Sequence, residues 1–330
     1  MEFTDLMRRA GGHVEARIIQ TAVELTIFDA LGDSALTAAD IASRLKLEPK
    51  ATELLLNALA AMELLYKRAG VFSLAAGAKT YLVKGSSQYA GGMIRFDSSL
   101  WNCWEKLPAA IRSGQPVRPP NMYQDDPVET EIFIGAMDSL VKARGDADII
   151  ASAIDWNGAA QLLDVGSGPA TYPIALCKRF RKLHATIFDL PTTLKFTQRY
   201  VRESGVDDRI RLVAGDYRKD AIPGSYDIIF LSNIIHGESE QENYSLVGKL
   251  AGHLKQGGRL VIKDHILDET RASPPVGALF SLLMLLTTTG GRCYSLSEIT
   301  SWMERAGLSH VQQIDLPPPL TSSLVIAASN

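Results

Sequence analysis

Residues 162–173 read LLDVGSGPATYP, and the reading of this stretch decides the fold. Leu162, Leu163 and Val165 form the short apolar run that a buried parallel strand needs, with Asp164 set into its end. Gly166 and Gly168 follow at once and leave bare backbone open to a ligand, and Thr171 stands where it can cap the next helix. A strand that turns through glycines into a helix is the corner at which doubly wound α/β proteins receive nucleoside-bearing ligands. Taken by itself, the pattern also suits an ordinary structural corner.

Downstream, strands and helices alternate. Gln161 to Val165, His184 to Phe188, Ile210 to Ala214, Tyr226 to Ser232 and Arg259 to Asp264 are the strand candidates, and helical patterns fill the gaps. Ser239 with Glu242, and Ser295 with Glu298, have capping-box spacing ahead of apolar helical runs. After Gly307, His310 to Asp315 and Ser322 to Ala328 flank the prolines Pro317 to Pro319 and read as a closing pair of strands. The sequence therefore predicts a doubly wound, mostly parallel, seven-stranded sheet over residues 157–330, with ligands at the carboxyl ends of its strands.

Upstream, His13 to Leu31 is apolar at helical spacing, Leu36 to Leu47 reads as a short helix with Thr37 near its start, and Pro49 to Leu65 as a third. Leu65, Tyr66 and Val71, Phe72 flank a turn as two short strands, completing a winged-helix pattern over residues 1–85. A helix that enters a DNA groove needs basic side chains. Here Glu48, Lys50, Thr52, Glu53 and Asn57 offer one cation and two carboxylates, which favours packing or dimerisation over phosphate contact. Residues 86–156 read as a helical connector with a proline-rich loop at Pro116, Pro119 and Pro120. In its second helix Phe133 and Met137, four apart, share one face, as residues of a core stripe or a pocket lining do.

Bulk properties narrow the function. The chain has 330 residues, 46% hydrophobic and 22% charged, with a formal net charge of -3. Such a balance is that of a soluble globular protein without a dominant surface for nucleic acid or anionic membranes. Cys103, Cys177 and Cys293 are scattered and show neither a disulfide framework nor zinc spacing, which points to a reducing, cytoplasmic setting. The first residues lack the apolar core of a secretory signal, and VGALFSLLMLL from Val276 is too short to span a bilayer.

Charge sign separates two candidate ligands. Asp164, just before the glycines, opposes a pyrophosphate but favours a ligand carrying an ammonium and a sulfonium. Asp189, in IFDLP at the end of the second strand, is placed to accept ribose hydroxyls, and Asp216, in AGDY after the third, lies where an adenine edge falls. Tyr217 can pack on that adenine. An aspartate after a strand is common in turns, but three on one rim ask for a polyhydroxy, cationic guest. S-adenosylmethionine fits better than a nicotinamide dinucleotide.

With these residues in view, the chain resembles the class I S-adenosylmethionine-dependent small-molecule O-methyltransferases that include acetylserotonin, caffeate and bacterial antibiotic-tailoring enzymes. The resemblance runs over nearly the whole length: the winged-helix region, DVGSG, IFDLP, AGDY, LSNIIH from Leu231, LKQGGRLVIKD from Leu254 and GGRCYS from Gly290. It implies a homodimer with interlocked N-terminal helices, a role in secondary metabolism and a pocket for a flat hydroxylated acceptor. Position by position, Asp164, Gly166, Gly168, Asp189 with Leu190, Asp216 and Tyr217 match donor contacts, and Ser232 falls where plant members place a lysine. Phe133 and Met137 match acceptor-lining residues, as do Met284 and Thr288, and Phe280 adds to the apolar lining. His236 matches the catalytic histidine and Asp264 the carboxylate that orients it. Three positions depart from the pattern: Gly237 follows His236 in place of an aspartate, Ala170 replaces a third glycine, and Cys293 replaces a second orienting glutamate.

The chemistry agrees with that assignment. A phenol becomes a far better nucleophile once deprotonated, and a histidine base held in one tautomer by a carboxylate performs that step without a metal. His265 is the rival base, but alternation along the strand turns it away from the face of Asp264. Two other readings remain open at this stage: a donor-binding relative with a non-methylating reaction, which the loss of the second carboxylate allows, and a winged-helix regulator that senses a small molecule.

Overall fold

Seven strands hydrogen-bond in the order Leu308–Asp315, Ser323–Ser329, Leu254–Asp264, Tyr226–Ser232, Gln161–Val165, His184–Asp189, Ile210–Ala214 in the computed structural model, which describes residues 1–121 and 123–330. The five strands from Gln161 to Asp264 run parallel to one another, whereas Ser323–Ser329 is antiparallel to both of the strands beside it. Successive strands leave Gln161–Val165 on opposite sides: His184–Asp189 pairs on one edge and Tyr226–Ser232 on the other. This reversal opens a crevice at the carboxyl ends of 161–165 and 226–232, where open α/β sheets bind ligands.

The strands are apolar because both faces are covered. Leu162, Leu163, Val165, Ile187, Ile228, Ile229, Phe230 and Leu231 are all fully or almost fully buried. Helix Glu240–Ala251 lays Leu246, Val247 and Leu250 on the sheet, and helix Leu296–Arg305 adds Ile299, Trp302 and Met303 to the same core. Both helices start from the expected capping boxes, Ser239 with Glu242 and Ser295 with Glu298. Each box satisfies two otherwise unpaired donors and contributes on the order of 1 kcal/mol.

The chain divides into two compact units, one of residues 1–101 with 135–143, the other of 102–134 with 144–330. The connector region 86–156 is thus shared between them, and helix Pro127–Arg144 contributes to both. In the first unit the expected helices are present, but with shorter bounds. Gly12–Glu24 and Ile27–Leu31 are separate helices because Thr26 takes a left-handed conformation. Leu36 and Thr37 form a strand before helix Ala38–Leu45, and the third helix, Pro49–Ala61, stops before Leu65. The hairpin Leu65–Arg68 with Val71–Leu74 is joined by that extra strand into a small three-stranded sheet. Ile27, Phe28, Leu31, Ile41, Leu56, Leu59, Leu65 and Phe72 fill this unit's core. Helix Phe3–Ala10 buries nothing: Phe3, Leu6 and Met7 stay exposed. Among the described residues no helix is long and apolar enough to cross a membrane.

Candidate active site

Three residues with positive φ shape the turn after Gln161–Val165: Gly166 at 67°, Gly168 at 59° and Ala170 at 62°. Here the structure corrects one expectation. Thr171 is the first residue of helix Thr171–Arg179, not its cap, because Ala170 occupies the cap position in the left-handed conformation and offers no side-chain acceptor. An L residue there is strained, a cost that glycine would not carry. At Gly166 a β-carbon would come within 2.4 Å of Ile234 Cδ1, so the turn is closely covered from the 226–232 side.

Carboxylates fix this turn. The Ser167 hydroxyl donates to Asp164 Oδ2 at 2.7 Å, while Asp164 Oδ1 is buried with no hydrogen-bond partner. Burial pushes the Asp164 carboxyl up to about 8, with the Asp189 charge acting in the same direction. Asp189 in turn accepts the Gly168 N–H on Oδ2 at 2.8 Å and the Leu190 N–H on Oδ1 at 2.7 Å. Burial holds its carboxyl at about 6 in spite of these bonds. Thr193 is a further side-chain partner of this carboxylate. Asp216 accepts the Arg218 N–H, and the Tyr217 hydroxyl donates to Glu238 Oε1 at 2.6 Å.

His236 sits in the one-turn helix Ile235–Gly237, just past the end of Tyr226–Ser232. Its Nδ1 lies 2.8 Å from Asp264 Oδ1, and its side chain is only 10% exposed. A carboxylate only accepts, so Nδ1 carries the proton and the Nε2 lone pair is left free. Burial pushes the Asp264 carboxyl up, but the charge and hydrogen bond of His236, together with His265, bring it below the ordinary carboxylate range. The turn is held from behind, because the Asn243 side-chain amide donates to the Ile235 carbonyl at 2.8 Å. Gly291 presses so closely that a β-carbon would meet the His236 carbonyl oxygen at 2.4 Å.

Phe280 meets the His236 ring edge to face at 4.8 Å, and His265 approaches the same phenyl ring at 5.2 Å. His265 is not wholly turned away, as strand alternation alone predicted, but its Nδ1 is committed to the Thr321 carbonyl at 2.9 Å. Met284 and Thr288 are buried on and just after helix Pro275–Thr287, and the Thr288 hydroxyl is spent on the Met284 carbonyl. Phe133 stacks on Tyr123 with centroids 4.9 Å apart. Phe133 belongs to the second unit and Met137 to the first. Cys293 is buried, and burial with the Asp264 charge pushes its thiol up to about 12, so it is uncharged near neutral pH.

Sequence reading missed a buried charge cluster. Asp146 accepts a two-pronged contact from Arg144 at 2.9 and 2.6 Å and the Tyr172 hydroxyl at 3.0 Å, and Lys263 Nζ lies 3.5 Å away. Lys263 pairs in register with Ser232 on the neighbouring strand. Its partner lies far off in sequence, and no local signal links them. Glu238, 2% exposed, was also missed, although it stands two residues after His236.

Comparison with known proteins agrees with this fold. A family model described as the O-methyltransferase domain matches residues 113–309, and one for the O-methyltransferase dimerisation domain matches residues 7–84. The 3-hydroxy-5-methyl-1-naphthoate 3-O-methyltransferase of Streptomyces sahachiroi is 29% identical over 329 residues, covering 98% of this chain and 93% of the relative. The tetracenomycin polyketide synthesis 8-O-methyl transferase TcmO of Streptomyces glaucescens is 27% identical, covering 97% and 95%. A solved structure of PigF with SAH superposes with a TM-score of 0.90 at 26% identity over 100% of both chains.

A seven-stranded sheet of this order, with a glycine turn after its central strand, has the fold of a Rossmann-like methyltransferase. Within that class the chain belongs to the O-methyltransferase family that carries a dimerisation domain. It is an S-adenosylmethionine-dependent O-methyltransferase of small metabolites. The residues fit that donor: the unpartnered Asp164 Oδ1 is a buried acceptor suited to an ammonium group, and at Gly166 a side chain would fill the space beside the turn.

Proposed function

We propose that this enzyme methylates a hydroxyl on a flat, aromatic metabolite, with His236 as the general base. Bound S-adenosylmethionine supplies an electrophilic methyl group. Asp164 would hold its ammonium end, Gly166 and Gly168 would lie along it, Asp189 and Leu190 would meet the ribose, and Asp216 and Tyr217 the adenine, with Ser232 nearby. His236 receives the acceptor proton at Nε2, and Asp264 keeps the ring in the required tautomer and stabilises the imidazolium. Phe133, Phe280, Met284 and Thr288 are the acceptor-lining residues of this reading, and the apolar surfaces of the first three favour a planar guest.

The observation that carries the reading is the 2.8 Å contact between a buried imidazole and a buried carboxylate at the carboxyl ends of two adjacent strands. It is supported by relatives named as a 3-hydroxy-5-methyl-1-naphthoate 3-O-methyltransferase and a tetracenomycin polyketide synthesis 8-O-methyl transferase. Residues 1–85 serve as the dimerisation domain of a homodimer, 86–156 as a connector that lines the acceptor pocket, and 157–330 as the donor-binding domain, in a cytoplasmic enzyme. Incubation with isotopically labelled donor and a panel of phenols, naphthols and quinols tests the reaction. A product heavier by one labelled methyl is expected. Donor turnover without methylated product in any member of the panel would remove this acceptor assignment.

A further inference from the structure

Glu238 has no part in the chemistry described above, yet its carboxylate is buried and fully engaged. It accepts the Tyr217 hydroxyl at 2.6 Å and a fork from Arg218, at 2.6 Å from Nη2 and 3.0 and 3.1 Å from Nε. Tyr217 and Arg218 follow the third strand of the sheet. The Tyr217 ring faces the donor turn, where a β-carbon at Gly166 would lie 4.0 Å from its Cε1. The Tyr217 carbonyl is tied down as well, by Lys249 Nζ at 2.7 Å.

The backbone of Glu238 reaches in the other direction. Its carbonyl accepts the Tyr294 hydroxyl at 2.6 Å and shares the Asn243 amide that holds the Ile235 carbonyl. Its N–H closes the turn of His236 by donating to the Ile235 carbonyl at 3.3 Å. Tyr294 lies three residues after Gly291, which packs on the His236 backbone, so this carbonyl ties the His236 turn to the segment that covers it. One residue thus links the ring that faces the donor to the turn that presents the base. A buried carboxylate tolerates the loss of its partners poorly, so the two ends of the link do not move independently.

We propose that Glu238 is a positioning residue for methyl transfer, anchoring Tyr217 at the donor turn through its side chain and fixing the His236 turn through its backbone. Donor binding and base placement therefore share one anchor. The inference rests on the reading of Tyr217 as a donor contact and of His236 as the base.

The test compares Tyr217→Phe, Glu238→Gln and Glu238→Ala with the wild-type enzyme. It measures the dissociation constant of S-adenosylhomocysteine by calorimetry and kcat across pH. Tyr217→Phe is expected to weaken binding roughly tenfold, the scale of one hydrogen bond to a charged group, and to lower kcat in parallel although it does not touch His236. Glu238→Ala lowers both further. Glu238→Gln, which keeps an acceptor for Tyr217 but gives up the pairing with Arg218, falls between them. The pH at which kcat rises stays where it is in all three, because Glu238 exchanges no proton with substrate. Folded variants that bind the thioether more weakly at unchanged kcat overturn the shared anchor, as does a shifted pH profile. Should Glu238→Ala not fold, Tyr217→Phe alone decides. Wild-type enzyme that fails to bind the thioether removes the functional reading together with this one, a result distinct from the others.

Discussion

His236 and Asp264 stand 2.8 Å apart, Nδ1 to Oδ1, on two adjacent strand ends, and the carboxylate is 1% exposed. With so little water nearby, the carboxylate's influence on the ring is not screened. The pair acts as a unit whose members fail differently when altered.

Replacing His236 with alanine removes the base but none of the donor contacts. Turnover should fall by roughly 10² to 10⁴, with the affinity for S-adenosylhomocysteine nearly unchanged. Asp264→Asn should also lose about 10² or more, because the amide leaves the ring free to adopt the wrong tautomer. Steady-state kinetics beside calorimetry separates the two quantities. Retention of full turnover in His236→Ala would take the imidazole out of the reaction.

The Asp164 carboxyl, pushed up to about 8 by burial, gives the donor site a pH signature. In the unfolded chain it ionises near its ordinary value of 3.8, so between about 4 and 8 the native protein holds a proton that the unfolded chain has lost. Asp164 therefore contributes less stability as pH rises through that window. A cationic ligand needs the ionised form, so its affinity should rise toward pH 8 and its binding at pH 7 should release close to one proton. Calorimetry in two buffers of different ionisation enthalpy detects that proton, and the release should vanish in Asp164→Asn. Buffer-independent heats for the wild type would contradict the assignment.

Gly166→Ala meets two obstacles: a φ of 67° and the Ile234 methyl at 2.4 Å. The left-handed backbone alone costs an L residue about 1–2 kcal/mol. Thermal unfolding should report that loss, and donor binding should weaken with it. Pairing the change with Ile234→Ala should relieve the contact but not the backbone strain, so full recovery in the double variant would show that the contact alone mattered.

The Asp146 cluster yields a prediction about stability rather than rate. Asp146 and Lys263 are buried, and removing the carboxylate strands the ammonium. Asp146→Ala should destabilise the fold by about 3–5 kcal/mol in urea unfolding, and Asp146→Asn by less, since the amide oxygen still accepts from Arg144 or Tyr172. A loss below about 1 kcal/mol in the alanine variant would mean that Lys263 finds water or another partner.

Local chemistry explains what could be read in advance. The buried strands announce themselves as unbroken apolar runs, and Ser239 with Glu242 marks a helix start because both members of the box lie within one turn. Thr171 misled because a threonine beside a helix start suits the first turn as well as the cap, and only the φ of Ala170 distinguishes them. Arginine, aspartate, tyrosine and lysine of the Asp146 cluster come from four separate elements, so nothing short of the folded sheet brings them together. Glu238 sat in plain view as an ordinary acidic residue before a helix. Its engagement with Tyr217 and Arg218 depends on how two strand ends face each other, which spacing does not encode.

The strand that bears Asp264 is paired on its outer edge with Ser323–Ser329, Ser323 opposite Asp264 itself. A ribosome delivers this bracing segment long after the histidine turn has emerged. Until the chain has been made as far as Ser329, the strand that carries Asp264 lacks its partner on one edge.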